Sequence, residues 1–241
     1  MDKGLDILEL LSSTDDALSQ AEIAKALERT PNEIYRMLDR LVRRHYVRRT
    51  EQDRYMLSLK MFELAHRRPP LSRLVSAAMP AMRGFATMAQ QSCHLVMRDR
   101  NMLVVVAQVD GPGYWSVSLR VGARLAVVGT GSGHVFLAYA SEDERQQMLA
   151  EDNAQPLSEE LEARLQRVRT SGFEEMPSQQ VRGVTNLSVP IYGPLGSVIA
   201  VITCPFTERL DRDDAASPSA ALKLLVDVGR DLSQRSGSGD S

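Results

Sequence analysis

The chain has 241 residues, 43% of them hydrophobic, with 29 basic and 31 acidic side chains and a formal net charge of −2. That is enough apolar material for one large domain or two modest ones, and the near-zero balance excludes a uniformly basic nucleic-acid binder. The longest apolar runs, 103–107 and 197–204, fall far short of the ~20 residues that cross a bilayer. Met1-Asp2-Lys3-Gly4 opens directly into an amphipathic pattern without a leader signature, so a cytoplasmic protein with no membrane partner is expected. Cys93 and Cys204 supply neither a disulfide framework nor a four-ligand zinc site.

The first helix is predicted from about Lys3 to Leu11, with Leu5, Ile7, Leu8 and Leu11 on one broad stripe. Ser19-Gln20-Ala21-Glu22 reads as a capping box opening a second helix that buries Ile23, Ala24 and Leu27. Thr30-Pro31-Asn32-Glu33 opens a third in the same way, with proline at the first helical position. The third helix repeats apolar residues at Ile34, Met37, Leu38, Leu41 and Val42, and only two or three residues separate it from the second, the short connection of a helix-turn-helix. Its opposite face carries Asn32, Tyr35, Arg36, Asp39, Arg40 and Arg43. The runs 46–49 and 54–57, which carry Arg48, Arg49 and Arg54, then flank a polar turn and read as a hairpin, or wing. From Arg36 to Arg54 there are seven arginines and three acids, a local balance of +4. Asn32, Tyr35, Arg36, Arg40, Arg43, Arg48, Arg49 and Arg54 are the candidate DNA-binding residues, the arginines for phosphates and the start of the third helix for base edges.

Arg67-Arg68-Pro69-Pro70 breaks regularity and pushes Arg68 towards an extended conformation. A helical pattern resumes from Leu71 to about Gln91, with Pro80 as a kink, and the texture then turns to β at 94–97, 103–109 and 115–121. Helices are expected at 134–150 and 158–170, a hairpin at 187–204 turning at 193–196, a last helix over 215–233 and a flexible tail over 235–241. Gly129-Thr130-Gly131-Ser132-Gly133, leading into a helix at His134, is a loop through which a backbone can approach an anion, although it matches neither G-x-G-x-x-G nor Gly-Lys-Ser/Thr. Asn186 and Ser188 alternate with Leu187 and Val189, and Thr203 lies on the paired strand, so a polar stripe inside an apolar hairpin marks either a wet pocket or a solvated sheet face. Thr130, Gly131, Ser132, His134, Asn186, Ser188 and Thr203 are accordingly the candidate ligand-binding residues.

These segments together resemble the IclR family of bacterial transcription regulators. The likeness is carried by 4–11 (Gly-Leu-Asp-Ile-Leu-Glu-Leu-Leu), 21–27, Tyr35-Arg36-Met37-Leu38 and Tyr55-Met56-Leu57, then by 121–125, 133–138, 168–173 and 183–190, in that order along nearly the whole chain. The resemblance implies an α+β protein: a winged helix-turn-helix over 1–66, a linker helix over 67–90, and a GAF-like effector-binding domain with a central antiparallel sheet over 91–234. It also implies a homodimer or dimer of dimers on a pseudo-palindromic double-stranded DNA operator, responding to a small organic acid. The chain departs from the family pattern at Asn32-Glu33-Ile34, at Gly133-His134 and at Asn186.

The competing reading is a metabolite-binding or catalytic GAF-like protein whose helical module binds another protein. Its best feature is Cys93-His94, but neighbours on a strand point to opposite faces and do not pair as nucleophile and base. His45, His66, His94 and His134 lack the i, i+4 spacing of a metal site. No catalytic residue, metal or cofactor is called for.

Overall fold

A computed structural model describes residues 2–67, 69–100, 102–151, 157–210 and 215–237. Arg68 and the tail from Ser238 onward, where an extended break and a flexible tail are expected, lie outside these. The chain divides into two compact units, Met1–Ser72 and Arg73–Ser241.

The first unit contains α1 (Asp2–Ser12), β1 (Leu18–Ser19), α2 (Gln20–Ala26), α3 (Pro31–Arg43), β2 (Val47–Arg49), β3 (Arg54–Leu57) and α4 (Lys60–Arg67). Ile7, Leu11, Ile23, Ala24, Ile34, Leu38, Val47 and Tyr55 form its core. Leu5, expected on the buried stripe of α1, is instead 52% exposed. Ser19 caps α2: its hydroxyl accepts the Glu22 amide, and the Glu22 carboxylate accepts the Ser19 N–H at 2.7 Å. At α3 the Glu33 carboxylate accepts both the Thr30 amide and the Thr30 hydroxyl, so the hydroxyl serves the carboxylate more than the helix. Glu28 and Arg29 lie between the caps of α2 and α3, with Glu28 at φ +52° turning the chain. The expected wing is present as β2 and β3, and β1 adds an unanticipated third strand in the antiparallel order β1-β3-β2. Two residues are too few to leave a periodic signal.

The second unit is a six-stranded antiparallel sheet in the order β6-β5-β4-β9-β8-β7, built from β4 (Cys93–Asp99), β5 (Met102–Val109), β6 (Arg124–Leu125), β7 (Glu174–Pro177), β8 (Val184–Tyr192) and β9 (Val198–Thr207). One face is covered by α5 (Pro69–Ala89) and α9 (Pro218–Gly237). Met82, Phe85, Leu225 and Leu232 of these helices pack on Leu95, Leu187, Ile202 and Cys204. The other face carries α6 (Gly131–Tyr139), α7 (Glu142–Glu151) and α8 (Glu159–Ser171), which pack Val135, Leu137, Met148, Leu165 and Val168 on Val96, Leu103, Val105 and Val201. Strand alternation divides the two cores: Cys93, Leu95, Leu187 and Ile202 face α5 and α9, whereas His94, Val96, Ser188 and Thr203 face the other way.

Two expectations are corrected. Residues 115–121 form no strand: the edge of β5 is already taken at 103–105 by Gly122–Leu125, and the segment is tethered by Leu119 N–H to Gln108 at 3.3 Å. The single helix expected over 134–150 is two, α6 and α7. Ser141 starts the second by accepting the Glu144 amide while Glu144 accepts its N–H, a Ser-x-x-Glu box legible in the sequence.

Gly133 is enclosed so tightly that an added Cβ would lie 1.8 Å from the Val127 carbonyl oxygen. Gly133→Ala must therefore move backbone, and is expected to lower the urea stability of the full chain by about 3 kcal/mol or more; an unchanged midpoint would show that this contact is not held. In the first unit, the Ser19 N–H, the Ser19 hydroxyl and Arg54 hold the Glu22 carboxyl at about 2, and Lys3 followed by Thr30 holds Glu33 at about 2. Both folded values lie below the ordinary 4.5, so their stabilisation is complete above that pH and disappears as pH falls towards 2. Urea melts from pH 5 to pH 2.5 should show this loss, with a shallower decline in Glu22→Gln/Glu33→Gln.

Candidate functional site

In the first unit, α3 sets its polar side outward because Ile34 and Leu38 are fully buried on the other. Asn32, Tyr35, Arg36, Arg40 and Arg43 recur at helical spacing and are all exposed. Arg36, Arg40 and Arg48 make no ion pair among the described residues. The other arginines are partly engaged: Arg43 with Asp39 at 3.1 Å, and Arg49 with Asp53 at 2.9 Å and over the Tyr55 ring at 5.9 Å. Arg54 is the most committed. Its Nε donates to the Ala17 carbonyl at 2.7 Å and its other nitrogen pairs with Glu22 at 2.7 Å, fastening the wing to the start of α2. Sequence spacing counts Arg54 among the free cations, because nothing local reveals a partner 32 residues away.

The second unit holds a cavity of about 350 Å³ between the sheet and the start of α6. Five expected residues line it: Thr130, Gly131, Ser132, Asn186 and Thr203. Thr130 is the N-cap of α6; its hydroxyl accepts the Gly133 amide at 3.1 Å and donates to the Ala126 carbonyl at 2.7 Å. The amides of Gly131 and Ser132, first in the helix, have no intrahelical acceptor. Gly131 allows this seating, since a Cβ there would lie 2.5 Å from Ser188 Oγ. Ser132 and Thr203 hydroxyls meet at 2.9 Å, and Thr203 donates on to Ser188 at 2.8 Å. Ser188 itself is fully buried beneath the cavity rather than in its wall.

His134 lies elsewhere. Its Nδ1 is 2.8 Å from Glu174 and its Nε2 2.6 Å from the Val128 carbonyl, and Arg164 is 3.6 Å from the same carboxylate. It borders a second space of about 420 Å³ between α8 and β7. The alternation that turns Ser132 towards Thr203 carries His134 around the helix to β7, a strand that sequence reading did not foresee.

His94, Arg124, Ser178 and Gln180 line the first cavity without having been anticipated as ligand contacts. For His94 the signal was present: a polar residue between Cys93 and Leu95, whose side chains go to the opposite core. The residue is 3% exposed, burial pushes its imidazole down to about 4, and Nδ1 has no hydrogen-bond partner among the described residues. Cys93 is not a nucleophile for it. The thiol packs between α5 and the sheet, points to the Met82 carbonyl at 3.6 Å, and is pushed up to about 12 by burial.

Comparison with known proteins agrees with this architecture. Residues 1–51 match the model of the IclR helix-turn-helix domain, and residues 71–234 match that of the bacterial transcriptional regulator IclR C-terminal region. The chain is 27% identical over 222 residues to the HTH-type transcriptional regulator KdgR of Escherichia coli K12, covering 86% of this chain and 84% of that protein. Its fold superposes on Thermotoga maritima IclR with a TM-score of 0.78 at 20% identity over 98% of both chains. An IclR homologue from Microbacterium hydrocarbonoxydans, solved in complex with 4-hydroxybenzoate, superposes with a TM-score of 0.79 at 20% identity over 96% of both chains. No described helix is long and apolar enough to cross a membrane. With a helix-turn-helix in front of an α+β sensor-like unit and family models matched across both, the chain belongs to the IclR family of bacterial transcription regulators.

Proposed function

We propose that this chain is a cytoplasmic, ligand-responsive regulator that binds a pseudo-palindromic operator as a homodimer or dimer of dimers and senses a small organic acid in its second unit. The observation that carries the DNA half is the exposed side of α3, where Asn32, Tyr35, Arg36 and Arg40 stand clear of the packing and the two arginines make no ion pair among the described residues. In this reading the first turns of α3 enter the major groove, Arg48 on the wing and Arg43 meet phosphates, and paired copies address half-sites ~34–36 Å apart or a multiple of that. Arg49 contributes after exchanging Asp53 for phosphate. Arg54 acts by holding the wing.

The sensing half rests on the first cavity. The carboxylate of the effector lies at the N-terminus of α6, where the Gly131 and Ser132 amides have no intrahelical acceptor and the helix dipole favours negative charge. Asn186 orients it. The complex of the Microbacterium homologue with 4-hydroxybenzoate supports an acid of this size. Regulation rather than catalysis is supported by the burial of Cys93, which pushes its thiol up, and by relatives that are named as regulators.

Genomic fragments selected by the full chain supply the operator. On it, Arg36→Ala and Arg40→Ala should each weaken binding about tenfold or more and lower the salt slope by about 1, with unchanged thermal midpoints. Unaltered affinity and slope in both would remove the DNA assignment. With 4-hydroxybenzoate and other small carboxylates as probes, Asn186→Leu should abolish the ligand's effect on operator binding and leave ligand-free binding intact. A normal response in that variant would place the pocket elsewhere.

A further inference from the structure

We propose that His94 sets the selectivity of the first cavity, favouring an acid that carries a hydroxyl group over its counterpart that lacks one. This rests on the reading of that cavity as the effector site. Strand register places Ser188 of β8, Thr203 of β9 and His94 of β4 side by side in one polar row across the sheet. The hydroxyls of the row satisfy one another and Ser132. His94 is the exception, a buried ring in the cavity wall whose Nδ1 meets no hydrogen-bonding group among the described residues. A buried polar atom left unpaired costs stability that an apolar ring of similar size would not, so packing alone does not account for histidine here.

The surroundings define the missing partner. Among the described residues no carboxylate lines the cavity, and Arg124 is the one lining cation. Neither Cys93 nor Cys204, whose thiols burial pushes up, supplies a charge from the opposite face of the sheet. The imidazole is therefore neutral, with one donor and one acceptor nitrogen. A ligand hydroxyl both gives and takes a hydrogen bond, so it pairs with either tautomer. Rotation about χ2 is soft, and a half-turn exchanges Nδ1 with a ring carbon and carries the nitrogen to the opposite edge of the ring. The carboxylate of the same ligand is left to the Gly131 and Ser132 amides.

The test uses the full chain and paired acids, benzoate with 4-hydroxybenzoate and propionate with lactate, in titration calorimetry. The wild type should bind the hydroxylated member of a pair about tenfold or more tightly, as sites built around a ligand hydroxyl do. His94→Phe and His94→Leu should bind both members alike, with ligand-free thermal midpoints at or above that of the wild type. Equal binding of both members by the wild type, discrimination that survives in both variants, or lower ligand-free midpoints in both would overturn the proposal. Failure of the underlying reading looks different: no acid of either pair binds the wild type, or Asn186→Leu binds them undiminished.

Discussion

The second unit depends on how closely the first turn of α6 approaches the sheet. Residues 131 and 133 carry no side chain, and at both positions even a methyl group would collide, with Ser188 in one case and with the backbone of Val127 in the other. This contact seats the helix start on β8, turns Ser132 onto Thr203, sends His134 back to Glu174 and leaves the cavity between loop and strands. An ordinary helix start would stand farther off, and the hydroxyl row would be either flooded or filled. The chemistry of the cavity is a by-product of two missing side chains.

The first unit solves a different problem, presenting a cationic surface on a chain whose net charge is −2. Seven arginines are concentrated between residues 36 and 54, whereas residues 141–175 hold ten acids against four arginines. Several of those acids cap or brace the outer helices: Glu144 closes the box at Ser141 and pairs with Arg98, and Glu162 pairs with Arg145. The overall average conceals two fields of opposite sign, and only the local field bears on a polyanion.

What the sequence disclosed follows the range of the interactions concerned. Capping boxes at Ser19 and Thr30, the apolar stripe of α3 and the wing are local patterns, and the structure contains them. The polar alternation of Asn186, Ser188 and Thr203 is legible because strand periodicity fixes the face, although not whether a residue lies in the wall or beneath it, as Ser188 shows. What sequence spacing does not convey has non-local causes. The run 115–121 has strand composition but no free edge to join. Arg54 looks like a phosphate ligand until a carboxylate from another helix reaches it. His134 follows a glycine loop in sequence and yet serves β7, a strand too short and too polar to announce itself. His94 reads beside Cys93 as half of a nucleophilic pair, but strand alternation turns it to the cavity and away from the thiol.

The separation of duties on α3 has an evolutionary consequence. Ile34 and Leu38 hold the fold, the Thr30–Glu33 box starts the helix, and the wing is clamped through Arg54 and Glu22. Asn32, Tyr35, Arg36 and Arg40 take part in none of these. Substitutions there leave the scaffold's folding energetics nearly untouched, so this face is free to change without loss of the fold, while positions such as Gly131, Gly133 and Glu22 are pinned.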